Sequence, residues 1–443
     1  MIDLILRGGT LVTPEGEQRA DLAIEDGRIC DIAPELTGGR QEVDVRGLML
    51  LPGVIDVHLH FNEPGRTDWE GAATGSRALA AGGGTLFFDM PLNSTPCTLN
   101  AREFDRKRAA LEAASITDFG LWGGLVPGSI PEMAEMAARG VVGFKAFMSN
   151  SGLPEFPRAD DATLFDGLRE AARLGLPVAV HAESEEITRG LAEKATTRTA
   201  RAFLDSRPVL AEVKAIQRAL RLAAEAGAKL HIVHVSSGQG VALAAEAKAR
   251  GVDVSIETCP HYLFFTEDDV ERLGTVAKCA PPLRPAEEQQ ALWDELLRGH
   301  VDIVASDHSP TTPAMKAGDF MSAWGGIAGV QSTLAVLLGH DREGRALSLT
   351  RIASLLAAEP ARRFKIAGKG ALAVGQDADI VVVDPGEAFT LRAEDLHQRH
   401  KASPYLGASF RGRVWRTIRR GATIFLDGQI TAEEKGTLVC PTS

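Results

Sequence analysis

The 443-residue chain is short of positive charge: 48 Lys and Arg face 59 Asp and Glu, for a formal net charge of −11. A surface of that sign repels phosphates, and no basic block or aromatic-basic stripe reverses it, which excludes nucleic acid as a partner. Long apolar runs are missing too. None approaches the ~18 residues of a membrane span, so no membrane partner is expected. Met1 to Val12 lacks both a basic n-region and a long apolar stretch, so it does not read as a signal peptide. Cysteine is scarce. Cys30, Cys97, Cys259, Cys279 and Cys440 are odd in number and far apart, forming neither a CxxC pair nor a disulfide framework, as suits a reducing cytoplasm. Cys259 and Cys279 read as small buried fillers, since no partner base stands near them in a motif.

What is present divides into two textures. The first ~50 residues read as short strands with turns: Leu4 to Leu6, a turn at Gly8-Gly9, Leu11-Val12, Leu22 to Ile24 and Ile29 to Ile32. The last stretch repeats that texture at Ile380 to Val383, Val414 to Ile418 and Thr423 to Phe425. Two β-rich ends around a different middle suggest one discontinuous domain, 1–50 plus 366–443, a small β-sandwich built from both termini. The middle, 51–365, alternates strand and helix. Apolar runs stand at Val54 to His60, Thr85 to Met90, Phe119 to Leu125, Val141 to Met148, Pro177 to Glu183, Lys229 to Ser236, Val252 to Thr258 and Asp302 to Asp307. Helical stretches such as Ala101 to Ala114 and Glu212 to Ala226 separate them. Eight strands with crossover helices predict a (β/α)₈ TIM barrel, with a doubly wound open sheet as the alternative.

Polar residues at the strand ends favour the barrel. His58-Leu59-His60 closes the first run, and period-2 alternation puts both imidazoles on one side of the strand. Alone, such a pair is a weak sign of a metal. Lys145, however, sits inside Val141 to Met148, where an ammonium carries a large desolvation cost and must be paired, neutralised or modified. His181, His234 and Asp307 end three further runs. Five strands thus depart from core composition at their C-terminal ends, the face on which barrel active sites are built.

This set resembles the amidohydrolase superfamily, and within it the cyclic amidase branch of dihydroorotases, hydantoinases and allantoinases. The resemblance implies two divalent metal ions, zinc first, with manganese, cobalt or iron as alternatives. His58 and His60 hold one ion with Asp307, and His181 and His234 hold the other. Lys145, carboxylated by CO₂, bridges them as a carbamate; a Schiff-base lysine is the rival reading. Two ions sharing one hydroxide bring the pKa of its parent water toward ~7, and Asp307 carries the proton to the leaving nitrogen. The resemblance also implies a homotetramer.

Shorter passages separate the siblings. Asn62, in Phe61-Asn62-Glu63-Pro64-Gly65-Arg66, stands where dihydroorotases carry an Arg that clamps a ring carboxylate. Its amide suits an uncharged ureido-bearing ring, although a turn residue beside Pro64-Gly65 is the alternative. Asp89-Met90-Pro91-Leu92-Asn93-Ser94, Lys278-Cys279-Ala280-Pro281-Pro282-Leu283-Arg284, Ala323-Trp324-Gly325-Gly326-Ile327-Ala328-Gly329 and His400 to Tyr405 look like allantoinase passages. Asn93 and Ser309 are the further substrate candidates. Hydantoinases have Ser where Gly143 stands and a catalytic-site Tyr soon after the Lys, but here no Tyr occurs before Tyr262. The expected activity is therefore opening of the allantoin ring to allantoate, in ureide catabolism, on a small cyclic ureide. A hydantoinase, dihydropyrimidinase or dihydroorotase is the runner-up. A metal-free assembly homologue conflicts with the complete ligand set. Gly238-Gln239-Gly240 before a helix mimics a dinucleotide loop, but Leu243 fills the third glycine position.

Overall fold

The computed structural model describes residues 1–339 and 345–442. Eight parallel strands run Val54–Leu59, Gly84–Asp89, Asp118–Leu121, Phe144–Phe147, Val178–His181, Leu230–Ile232, Val254–Thr258 and Ile303–Val304. The third continues past Trp122 as Gly123–Gly124, which pairs with the fourth. Each strand pairs in parallel with the next, and a bridge between Leu59 and His308 joins the first to the chain just past the eighth. The expected barrel is the fold, and the open sheet is excluded.

The crossover helices follow from their ends. Asn100 and Asp160 accept from the backbone N–H groups of Glu103 and Thr163, capping Ala101–Ala114 and Asp161–Leu174. Gly175 and Gly227, at φ 74° and 63°, end Asp161–Leu174 and Val209–Ala226 in the left-handed conformation that glycine adopts without a Cβ penalty. Among the described residues no helix is long and apolar enough to cross a membrane.

Two cores show which way each strand faces. Val178, Val180, Leu230, Ile232, Val254 and Ile256 pack outward with helix residues such as Leu164, Leu168 and Ala219. Ala179, Val233, Ile303 and Ala305 pack inside the barrel with Trp122 and Phe364. Lys145, His181, Glu257 and Asp307 occupy the inward parity. The first strand breaks the rule. Ile55 and Val57 lie in the inner core, but Leu59 and Phe61 in the outer one. A register shift between Asp56 and Leu59 accounts for it: the extra residue flips the alternation and turns His58 and His60 inward.

Both termini build a second sheet of nine strands. Leu4–Thr13 pairs in parallel with Gln41–Asp44 and then with Met49–Pro52. The latter pairs antiparallel with Ile380–Thr390, which ties the C-terminal strands to the N-terminal ones. One shared core holds the two ends together, with Leu4, Leu6 and Leu22 beside Ile380, Val382 and Ile418. Gly8-Gly9 is not a turn, contrary to expectation. It is a bulge within one ten-residue strand, with Gly8 at φ 68°, and the ladder continues beyond it. Where sheet meets barrel, Lys369 binds Asp118, Asp377 and Asp379 at 3.1, 3.0 and 2.6 Å.

Candidate active site

The inward residues converge at the C-terminal ends of the strands. His58 Nε2 and His60 Nε2 approach Asp307 Oδ1 at 3.3 and 3.4 Å. Ligand atoms of these three residues lie within 4.8 Å of one another. His181 Nδ1 meets His234 Nε2 at 3.0 Å, and the His58 and His234 rings are 5.4 Å apart between centroids. The structure therefore brings all four expected histidines and the carboxylate together. Lys145 is 1% exposed, and its Nζ has no hydrogen-bond partner. It stands 5.0 Å from the ring of Phe147, which stacks on His181 at 4.5 Å. His234 and Asp307 hold left-handed backbones, φ 40° and 42°, a strained conformation for side-chain-bearing residues that clusters at functional sites.

Carboxylates that sequence reasoning missed aim two of the rings. Glu257 Oε1 bonds His58 Nδ1 at 2.8 Å and accepts from the His234 backbone N–H at 3.1 Å, while its Oε2 bonds His231 Nε2 at 2.9 Å. Glu183 Oε2 bonds His181 Nε2 at 2.8 Å and pairs with Arg207. The rings thus present His58 Nε2 and His181 Nδ1 to the cavity. The sequence signal was available for Glu257: a charge inside Val254–Thr258 carries the burial cost that singled out Lys145. Asp56, whose carboxyl burial pushes up to about 6, binds the backbone N–H groups of His58 and Ser306 and joins the first strand to the eighth.

Electrostatics suit cation binding. Burial pushes His60, His181 and His234 below the ordinary imidazole value, keeping them neutral and able to donate a lone pair. Burial opposes the Asp307 charge, yet His58, His60 and His234 outweigh it and hold Asp307 well below the usual carboxylate range. Burial also brings the Lys145 ammonium down to about 8, against partial support from Asp307 and Glu257. Buried Lys145 Nζ, His60 Nδ1 and His234 Nδ1 without partners, beside convergent neutral imidazoles and a carboxylate, form a donor set that fits divalent metal ions.

A cavity of about 370 Å³ opens over this group. Asn93 and Ser309 line it and bond to each other, Asn93 Nδ2 to Ser309 Oγ, at 3.4 Å. Asn62 is fully buried and not among its lining residues; it adopts φ 62° and donates to the Pro310 carbonyl at 3.3 Å. Neither tyrosine lines the cavity, and Tyr262 donates its hydroxyl to the Pro281 carbonyl at 2.7 Å. Cys279 does line it, with burial raising its thiol to about 12, which is no nucleophile at neutral pH. His261 is buried with its Nε2 unpartnered.

A parallel barrel with a His-His-Asp group, two further imidazoles and a buried lysine at its C-terminal face defines a hydrolase of the metal-dependent barrel class. The sequence profile of the Amidohydrolase family matches residues 49–424. The chain is 62% identical to an allantoinase of Solibacter usitatus over 100% of its own length and 97% of the relative's. It is 57% identical to an allantoinase of Rubrobacter xylanophilus, over 99% and 98%. Among solved structures, the L-hydantoinase (dihydropyrimidinase) of Arthrobacter aurescens superposes with a TM-score of 0.96 at 34% identity, covering 99% of this chain and 100% of that one. The chain belongs to the amidohydrolase family and is a cyclic amide hydrolase.

Proposed function

We propose that the protein hydrolyses the ring amide of allantoin to give allantoate, a step of ureide catabolism. The observation that carries this is full-length identity of 54–62% to three relatives named allantoinase, against 34% to the hydantoinase structure. The near-identical backbone of that hydantoinase supports hydantoin or dihydrouracil as the second reading.

His58, His60 and Asp307 would hold one divalent ion, and His181 and His234 the other. Lys145 would bridge them after its neutral amine adds CO₂ and releases a proton. When bound, such ions polarise the ring carbonyl and bring the pKa of water toward ~7, which supplies a hydroxide nucleophile at neutral pH. Asp307 accepts the proton of the attacking water and hands it to the ring nitrogen as the C–N bond breaks, leaving a carboxylate on one fragment and an N–H on the other. Asn93 and Ser309 offer neutral hydrogen bonds to the ureide, and Asn62 shapes the turn beneath them. Zinc is the proposed metal, the cytoplasm the proposed site of action and a homotetramer the proposed assembly. Residues 1–50 with 366–443, and 51–365, are proposed as the two domains.

The test is turnover of allantoin, hydantoin, dihydrouracil and dihydroorotate by metal-loaded protein with bicarbonate present. Turnover confined to allantoin is the expected result. Opening of another ring but not allantoin would overturn the substrate assignment while keeping the hydrolytic class.

A further inference from the structure

One wall of the substrate cavity is the irregular segment Met321–Gly326. Four of its six carbonyls are turned onto two ammonium groups. Lys278 Nζ donates to the carbonyls of Met321 at 3.2 Å and Ala323 at 2.5 Å. Lys316 Nζ donates to Trp324 at 3.1 Å, to Gly326 at 2.6 Å and, outside the segment, to Thr275 at 3.1 Å. The clamp is reciprocal: the Gly326 N–H donates to the Lys278 carbonyl at 2.7 Å, and the Thr275 hydroxyl to the Lys316 carbonyl at 2.6 Å.

Neither lysine has a carboxylate within ion-pair distance among the described residues, and Lys278 instead lies over the rings of Phe203 and Phe320 at 4.8 and 5.6 Å. Withdrawing an ammonium from water without a counter-ion is costly. Five carbonyl dipoles offset that cost only while the segment keeps this shape. Beside Lys316 and Gly326 lies a second cavity of about 230 Å³, while Trp324 packs edge-on against Trp69 at 4.9 Å and its backbone N–H donates to the Met315 carbonyl at 2.9 Å. The ammonium bonds add to these contacts in holding the carbonyls of the wall.

We infer that Lys316, acting with Lys278, is a positioning residue for substrate: its ammonium holds the Trp324–Gly326 wall at the spacing a flat cyclic ureide needs. This rests on the cavity being the substrate site, as proposed above. A wall that touches ground state and transition state alike contributes uniform binding, so its loss acts on KM rather than kcat.

The test compares Lys316→Met, Lys316→Arg and Thr275→Val in the metal-loaded full chain. Lys316→Met is expected to raise KM roughly 10-fold with kcat within about 2-fold and metal content unchanged. Lys316→Arg should recover most of the KM, and Thr275→Val should raise it only about 2–3-fold. Unchanged KM in Lys316→Met overturns the inference, as does a joint fall of kcat and metal content, which marks a general scaffold role. Should the parent open no cyclic ureide, the functional reading fails by itself. Amide hydrogen exchange across Met321–Gly326 then decides: faster exchange confined to that segment in Lys316→Met sustains the clamp, and equal exchange overturns it.

Discussion

Two buried lysines at opposite ends of the barrel have opposite fates. Lys369, 8% exposed, lies where the terminal sheet meets the N-terminal ends of the strands, ringed by Asp118, Asp377 and Asp379. Burial works against its charge, but the three carboxylates outweigh burial and hold the ammonium well above the ordinary lysine value. Lys145, at the other end, has no bonded partner, and burial prevails, bringing it down to about 8. A fully paired charge ties the terminal sheet to the barrel. An unpaired one stands instead among the cavity imidazoles, where burial keeps His60, His181 and His234 neutral. The barrel separates the roles, with stability at the N-terminal face and chemistry at the C-terminal face.

The sharpest way to break this comparison is to remove both lysines in turn. Lys145→Ala should lower kcat/KM on the order of 10³-fold or more and reduce metal content, while the melting temperature of metal-free protein barely moves. Lys369→Met should do the reverse. Leaving clustered aspartates uncompensated costs about 3–5 kcal/mol of stability in denaturant titration, with the folded fraction keeping its kcat. Activity lost equally in both variants would abolish the distinction.

A finer test concerns Glu257, which sets the His58 ring and touches the His234 backbone. Glu257→Gln should weaken metal binding about 10- to 100-fold by calorimetry, and unchanged affinity would reduce this carboxylate to a structural prop. Next comes pH. In metal-stripped protein the folded values of His60, His181 and His234 lie below the ordinary 6.5. As pH drops through 6.5 the unfolded chain takes up protons that the folded chain refuses. Stability therefore falls, by up to about 1.4 kcal/mol per pH unit for each histidine, and is retained above 6.5. Lys369→Met should lower that curve without altering its slope. The smallest effect is expected at Asn62. Asn62→Gly, which tolerates the positive φ, should change KM by less than about 3-fold, whereas Asn93→Ala should raise it about 10-fold.

The four cavity histidines, Lys145 and Asp307 were legible because each is a polar residue ending or interrupting an apolar run, and the cost of burying it is a local property. Glu257 carried the same signal. Glu183, which ends the run Pro177 to Glu183, carried it too. Arg207 did not, because it lies within no apolar run and its pairing with Glu183 depends on which segments the barrel brings together. Asn62 and Asn93 looked equivalent in the chain, both polar residues in turns after strands. Only the folded loops send one beneath Pro310 and the other into the cavity.

The sequence by itself determined the strand–helix alternation, the two β-rich ends and the charged residues that core packing cannot explain, because hydrophobic period and desolvation act within a few residues. The tertiary structure decided the rest. Strict alternation through Ile55 and Val57 would turn His58 and His60 toward the helices, and the register shift beside the second strand turns them inward. Neighbours distant in the chain decide whether a buried lysine is left without a hydrogen-bond partner, held by carbonyls or paired with carboxylates: Lys145, Lys316 and Lys369 are one residue type in three surroundings, and those surroundings come together only when the barrel closes.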